Sequence, residues 1–416
     1  MTRDHQVHGV KACIEQPSVS TAAGFCLVLA ATWLAAASPV AAQLDTLPYA
    51  DTTRGTFFGA AVALDEDRAL VGAPSEVSCA KNGGAAYIYE RTLQSDRWHE
   101  VARIVPDDCI EDLFFGRSVA LSGDRILVAA AVEYFASARA NAVYVFDRSS
   151  TGAWHQAARL TVDSAEGEGP LGSSVSLDSN RALITTFGDA ATGRFGGAAY
   201  VFDRNASTGE WAQAARLTGS GGLAYGVFGG AAALSGDRAI VSSSMYFRNK
   251  PGYVYFFERK ATGSWEETAR VGDIDDFFIS LDIDGDRVLV GESREGRMEV
   301  GAATVYARDS TGAWHLSTTL KPPVSYERGG FGSQVALSGD RAVVTGFDEQ
   351  LRLDINVDRV IYVYALDPES QTWSYQSILD IGNVAFGSAI DLDGSVALIG
   401  AAAEDETGAA YVARLH

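Results

Sequence analysis

A block of the form FGxxVALSGDRALVGA recurs seven times along this chain, and no other feature constrains the fold as tightly. It runs from Phe58-Gly59 to Ala73, Phe115-Gly116 to Ala130, Leu171-Gly172 to Thr186 and Phe228-Gly229 to Ser243. It returns from Phe277 to Glu292, Phe331-Gly332 to Gly346 and Phe386-Gly387 to Ala401, with Phe278 in place of the glycine in the fifth copy. A variable stretch follows each block. Then come a segment like Gly197 to Arg204 (GAAYVFDR), a tight turn, a Trp and a run such as His155 to Leu160. Each copy of about 55 residues therefore reads as two hairpins, or four short strands. One such unit cannot bury both of its faces, but seven packed around a channel can. The expected fold is all-β: a seven-bladed β-propeller with four antiparallel strands per blade.

The seventh copy stops at His416, just after its third strand. Leu47 stands as far before Phe58 as Leu160 before Leu171 and Leu217 before Phe228. Gln43 to Tyr49 is therefore in register to supply the missing fourth strand and to close the ring, which removes an exposed edge. Trp98, Trp154, Trp211, Trp265, Trp314 and Trp373 hold one position of successive repeats. A residue present in nearly every repeat serves the repeat, so they are expected as anchors between blades. Arg68, Arg125, Arg181, Arg238, Arg287 and Arg341 are expected to pair with turn carboxylates such as Asp124, Asp237 and Asp340.

Residues 22–37 form an apolar run too short for a comfortable membrane span, and small residues end it at Val40-Ala41-Ala42. That pattern predicts a signal peptide over residues 1–42, with a long leader, and a secreted or periplasmic propeller over 43–416. The net charge of −20 disfavours nucleic acid and anionic lipid surfaces as partners. Cys79 and Cys109 are the two cysteines beyond the leader. One lies between strands two and three of blade one, the other in the link to blade two. Strand reversals put both on the same face, and export favours oxidation, so a disulfide is expected.

Taken across the copies, Phe58-Gly59 with Gly72-Ala73-Pro74 resembles the FG-GAP repeat, the blade of the integrin α-subunit propeller. The resemblance covers nearly all of residues 43–416 and implies extracellular binding or adhesion. Integrin-like blades often carry a calcium loop patterned Asp-x-Asp-x-Asp-Gly-x-x-Asp. Here Asp282-Ile283-Asp284-Gly285-Asp286 and Asp391-Leu392-Asp393-Gly394 occupy the short hairpin between strands one and two and lack the extension. Neither cofactor nor metal is therefore expected.

No catalytic motif stands out: HExxH, the P-loop, Gly-x-Ser-x-Gly and CxxC are all missing. Function is expected on the long loops that share a face with the links between blades. Tyr134, Phe135, Tyr225, Tyr246, Phe247, Arg248, Tyr326 and Phe347 are the candidate contacts there, since aromatics and Arg make good binding anchors. These features together predict a monomeric, non-enzymatic module that presents one face to an extracellular protein. Two alternatives remain: a glycan-binding propeller, and a hydrolase that uses the central channel.

Overall fold

The computed structural model describes residues 44–415 apart from 52, 93, 131–141, 163–170, 188–195, 221–225, 246–251, 275–278, 294–300, 325–329, 348–358 and 382–384. The described residues form seven four-stranded antiparallel sheets. Blade one is typical, with strands Val62–Asp65, Arg68–Ala73, Ala85–Thr92 and Arg97–Ile104 in sequence order across the sheet. Each first strand is innermost. The turns between strands one and two, and three and four, lie on one face of the ring, here the turn face. The longer connections within and between blades lie on the other, the loop face. In the seventh sheet Leu44–Thr46 pairs antiparallel with Ala409–Arg414, outside Val396–Ala401 and Ala389–Asp393.

Seven apolar clusters hold the ring, one at each seam between neighbouring blades. The second and third strands are apolar on both faces because both faces meet a neighbouring blade. The phenylalanine of the repeat is buried and meets a third-strand aromatic edge-on. Phe58 faces Tyr89, Phe115 faces Phe146, Phe228 faces Phe257 and Phe331 faces Tyr364. The following glycine is required twice over. Gly116 has φ 99°, and a Cβ there would stand 2.4 Å from the Ala85 carbonyl of the preceding blade.

The repeated tryptophans sit where the repeat pattern puts them. Trp98 and Trp154 pack at the seam with the preceding blade, and so do their later counterparts. Arg125 lies 5.6 Å over the Trp211 ring and Arg181 lies 5.4 Å over Trp265. The repeated arginines reach the turn of the next blade, as Arg68 does to Asp124 at 3.0 Å and Arg181 to Asp237 at 2.7 Å. Where Asn180 replaces the turn Asp, Arg125 bonds its Oδ1 at 3.0 Å instead. Asp286 pairs with Arg238 at 3.1 Å.

Candidate functional site

The innermost strands would leave a row of unpaired amides around the channel. Short polar side chains cover part of that row. At the turn face the last residue of each first strand accepts a backbone N–H from the next blade. Asp65 takes that of Gly123, Ser122 that of Ser179, Asp178 that of Gly236 and Ser235 that of Gly285. Asp284 takes that of Gly339, Ser338 that of Gly394 and Asp393 that of Glu66. The result is a complete girdle of seven acceptors, each an Asp or a Ser. An amide left without a partner is costly, and a one- or two-carbon side chain has the reach to satisfy it.

Two residues further into the channel the repeat position is Ala63, Ala120, Ser176, Ala233, Asp282, Ala336 and Asp391. Asp282 and Asp391 stand where most copies carry alanine. Asp282 Oδ2 accepts the Leu337 amide at 2.8 Å and its Oδ1 accepts the Ile283 amide at 2.8 Å. Asp391 is held the same way by Leu64 at 2.7 Å and Leu392 at 2.8 Å. Burial pushes the Asp282 carboxyl up to about 8; repulsion from Asp391 and Asp284 adds to this and the two amide bonds oppose it. Burial likewise pushes Asp391 up to about 7, opposed by its amide bonds and assisted by Asp393 and Asp65. Both residues are half-buried, with their carboxyls well enclosed by protein.

The sequence reading assigns these two residues to hairpins. What it misses is that both face the channel, where the Asp391 charge helps to raise Asp282. The available signal is Asp at a repeat position otherwise held by Ala or Ser. Among the described residues no group of three or more His, Cys, Asp or Glu side chains is gathered closely enough to hold a metal ion. No helix among them is long and apolar enough to cross a membrane.

On the loop face, Cys79 and Cys109 form the expected disulfide. The loop it anchors also carries Glu76, a buried carboxylate that accepts from Tyr87 at 2.6 Å, Tyr49 at 3.3 Å and Arg103 Nε at 2.9 Å. Of the loop-face candidates, Phe347 is described: it is half-buried, with the Arg359 guanidinium 5.5 Å from its ring centre. Tyr134, Phe135, Tyr225, Tyr246, Phe247, Arg248 and Tyr326, with the leader over 1–42, lie outside the described residues.

Residues 43–89 and 98–146 match the FG-GAP repeat family. No curated protein matches the sequence. Among solved structures, the chain is similar to a candidate 6-phosphogluconolactonase from Bacteroides uniformis, at 12% identity and a TM-score of 0.50, covering 78% of this chain and 85% of that one. A second candidate 6-phosphogluconolactonase, from Bacteroides fragilis, matches at 12% identity and a TM-score of 0.48, covering 78% and 84%. The periplasmic gluconolactonase of Pseudomonas aeruginosa matches at 15% identity and 0.48, covering 78% and 86%. The Bacteroides uniformis neighbour corrects the expectation of a non-enzymatic adhesion module, because a propeller described as a candidate lactonase shares its frame. At such identities the likeness speaks for the frame alone, and a frame of this kind does not favour adhesion over hydrolysis. The two matched stretches carry FG-GAP repeats, and the same block recurs in the later blades of this seven-bladed propeller.

Proposed function

We propose that the chain is a propeller hydrolase whose central channel carries an acid–base pair, Asp282 and Asp391, acting on a neutral sugar-derived ester such as an aldonolactone. The observation that carries this reading is the pair itself. Burial raises both carboxyls well above the usual carboxylate range, which suits one to hold a proton while the other accepts one. Asp391 takes a proton from water as the water oxygen bonds to the ester carbonyl carbon. The bond from that carbon to the ring oxygen then breaks, and Asp282 gives its proton to the departing oxygen. Solvent returns a proton from Asp391 to Asp282, and the product is the open-chain hydroxy acid.

The substrate class follows from charge. Asp65, Asp178, Asp284 and Asp393 surround the pair in a chain of net charge −20, which disfavours a phosphorylated lactone. The solved neighbour with a TM-score of 0.50 is described as a candidate 6-phosphogluconolactonase, which lends fold precedent for ester hydrolysis but not for that substrate. The disulfide and the apolar run over 22–37 support an exported protein working outside the cytoplasm.

The test is turnover of a panel of neutral aldonolactones by the purified chain, followed by Asp282→Ser and Asp391→Ser. Serine already fills this repeat position at Ser176, where it bonds the Leu234 amide at 3.1 Å, so both variants should fold. A loss on the order of 100-fold or more in kcat is expected from each. Unchanged turnover in folded variants, or no turnover of any neutral lactone by the parent chain, overturns the reading.

A further inference from the structure

Toward the loop face, a third-strand tyrosine pairs across the sheet with a fourth-strand arginine in each of the first four blades. The pairs are Tyr87 with Arg103, Tyr144 with Arg159, Tyr200 with Arg216 and Tyr255 with Arg270. In blade one the Glu76 carboxylate completes the set, accepting from Tyr87 Oη at 2.6 Å and Arg103 Nε at 2.9 Å. In blade two Asp108 completes it, 3.3 Å from Arg159 Nε. Burial raises the Tyr144 hydroxyl, with Arg159 opposing the shift and Asp108 adding to it. Glu76 lies in the connection between strands two and three of its blade, and Asp108 in the link from the preceding blade.

Blade four has the tyrosine and the arginine without the acid. The connection over 246–251 (YFRNKP) and the link over 218–225 (TGSGGLAY) are the two places that supply acids in blades one and two, and here they contain no Asp or Glu. The link into blade three, over 161–170, contains Asp163, Glu166 and Glu168. Tyr255 packs at the seam with blade three. It and Ser243 are 0% and 1% exposed, and neither hydroxyl has a hydrogen-bond partner. Burial raises the Tyr255 hydroxyl, Ser243 and Arg270 oppose the shift, and Glu267 adds to it, which gathers these groups around one point. Glu267 is already engaged: it accepts the Ser220 amide and the Ser220 hydroxyl, each at 2.8 Å. Arg270 is exposed, lies 4.8 Å over the Tyr253 ring and has no ion pair among the described residues.

A buried hydroxyl without a partner is costly, and an acceptor that reaches it removes the cost. Two such hydroxyls beside an uncompensated guanidinium call for an anion that can accept from all three. We propose that the loop-face end of the seam between blades three and four binds a small organic carboxylate, which takes the place that Glu76 and Asp108 fill at their own seams. The chain itself sets a carboxylate against this tyrosine–arginine pair twice, so the chemistry of the pair is on display in its first two blades. Two of the three donors are buried, so the ligand must be small enough to enter, as a free acid is. The proposal does not rest on the channel reading, and it is tested by binding, not turnover.

The experiment is a ligand-observed NMR titration of the full chain with acetate, with acetamide as the neutral isostere. Saturable binding of acetate and none of acetamide is expected. Tyr255→Phe and Ser243→Ala should each weaken acetate binding about tenfold, the loss of one hydrogen bond to a charged group. Without acetate both variants should melt at the parent temperature or above it, because each removes a buried hydroxyl that has no partner. Alanine already fills the Ser243 position in blades one and two, as Ala73 and Ala130. The channel variants Asp282→Ser and Asp391→Ser should bind acetate as the parent does. Absence of saturable acetate binding, equal binding of acetamide, parent-like affinity in both hydroxyl variants, or a lowered melting temperature in both overturns the proposal.

Discussion

Asp393 accepts the backbone N–H of Glu66 at 2.6 Å and so joins the last blade to the first across 327 residues of sequence. It is one of seven equivalent bonds, and it shows what the repeat's alternation of Ser and Asp accomplishes. The side chain that ends each innermost strand satisfies an amide of the next blade, so the ring is stitched where no strand pairing is available.

Asp393→Ala should therefore lower stability by about 1 kcal/mol, the usual worth of one hydrogen bond. Asp393→Ser should restore most of the loss, because Ser122, Ser235 and Ser338 perform the same task in other blades. Urea titration of the two variants decides the point. Parent-like stability of the Ala variant would show that the bond contributes nothing.

Deletion of Gln43 to Tyr49 should cost far more. It strips Ala409–Arg414 of its outer partner and removes Leu47 and Tyr49 from the core between blades seven and one. A drop of several degrees in melting temperature is expected. An unchanged melting temperature would mean that the strand does not hold the ring together.

Stability should fall as pH rises through the channel pair. Unfolded Asp titrates near 3.9, whereas Asp282 and Asp391 titrate near 8 and 7 when folded. Between those values the folded chain binds more protons than the unfolded one, so stability present in acid is lost as pH climbs through the folded values. Asp282→Ser with Asp391→Ser should flatten the profile between pH 5 and 8.5, removing a pH dependence of several kcal/mol. Thermal melts across that range test it, and parallel profiles for parent and variant would count against it.

Cys79→Ser with Cys109→Ser should destabilise the first blade by about 3 kcal/mol, as expected for opening a cross-link that spans 30 residues. The loss should centre on the loop that carries Glu76, and hydrogen exchange at residues 76–84 reports it directly. Unchanged exchange there would show that the Glu76 contacts hold the loop without the cross-link.

The repeat made the architecture legible before any coordinates were in hand. Strand count, blade count, the anchoring tryptophans and the arginine reach to Asp124 and Asp237 all follow from local spacing, because each repeat must solve the same packing problem at the same positions. The two cysteines were legible for a related reason: counting strand reversals is enough to place both loops on one face.

The candidate sites were not legible in that way. Asp282 and Asp391 lie 109 residues apart and look like ordinary hairpin carboxylates in the linear text. Their shifted titration arises only when the innermost strands of blades five and seven face one channel and bury both groups. Local pattern therefore determined the blades, while proximity across the channel and across the seam, which depends on long-range packing, was decided by the tertiary structure alone.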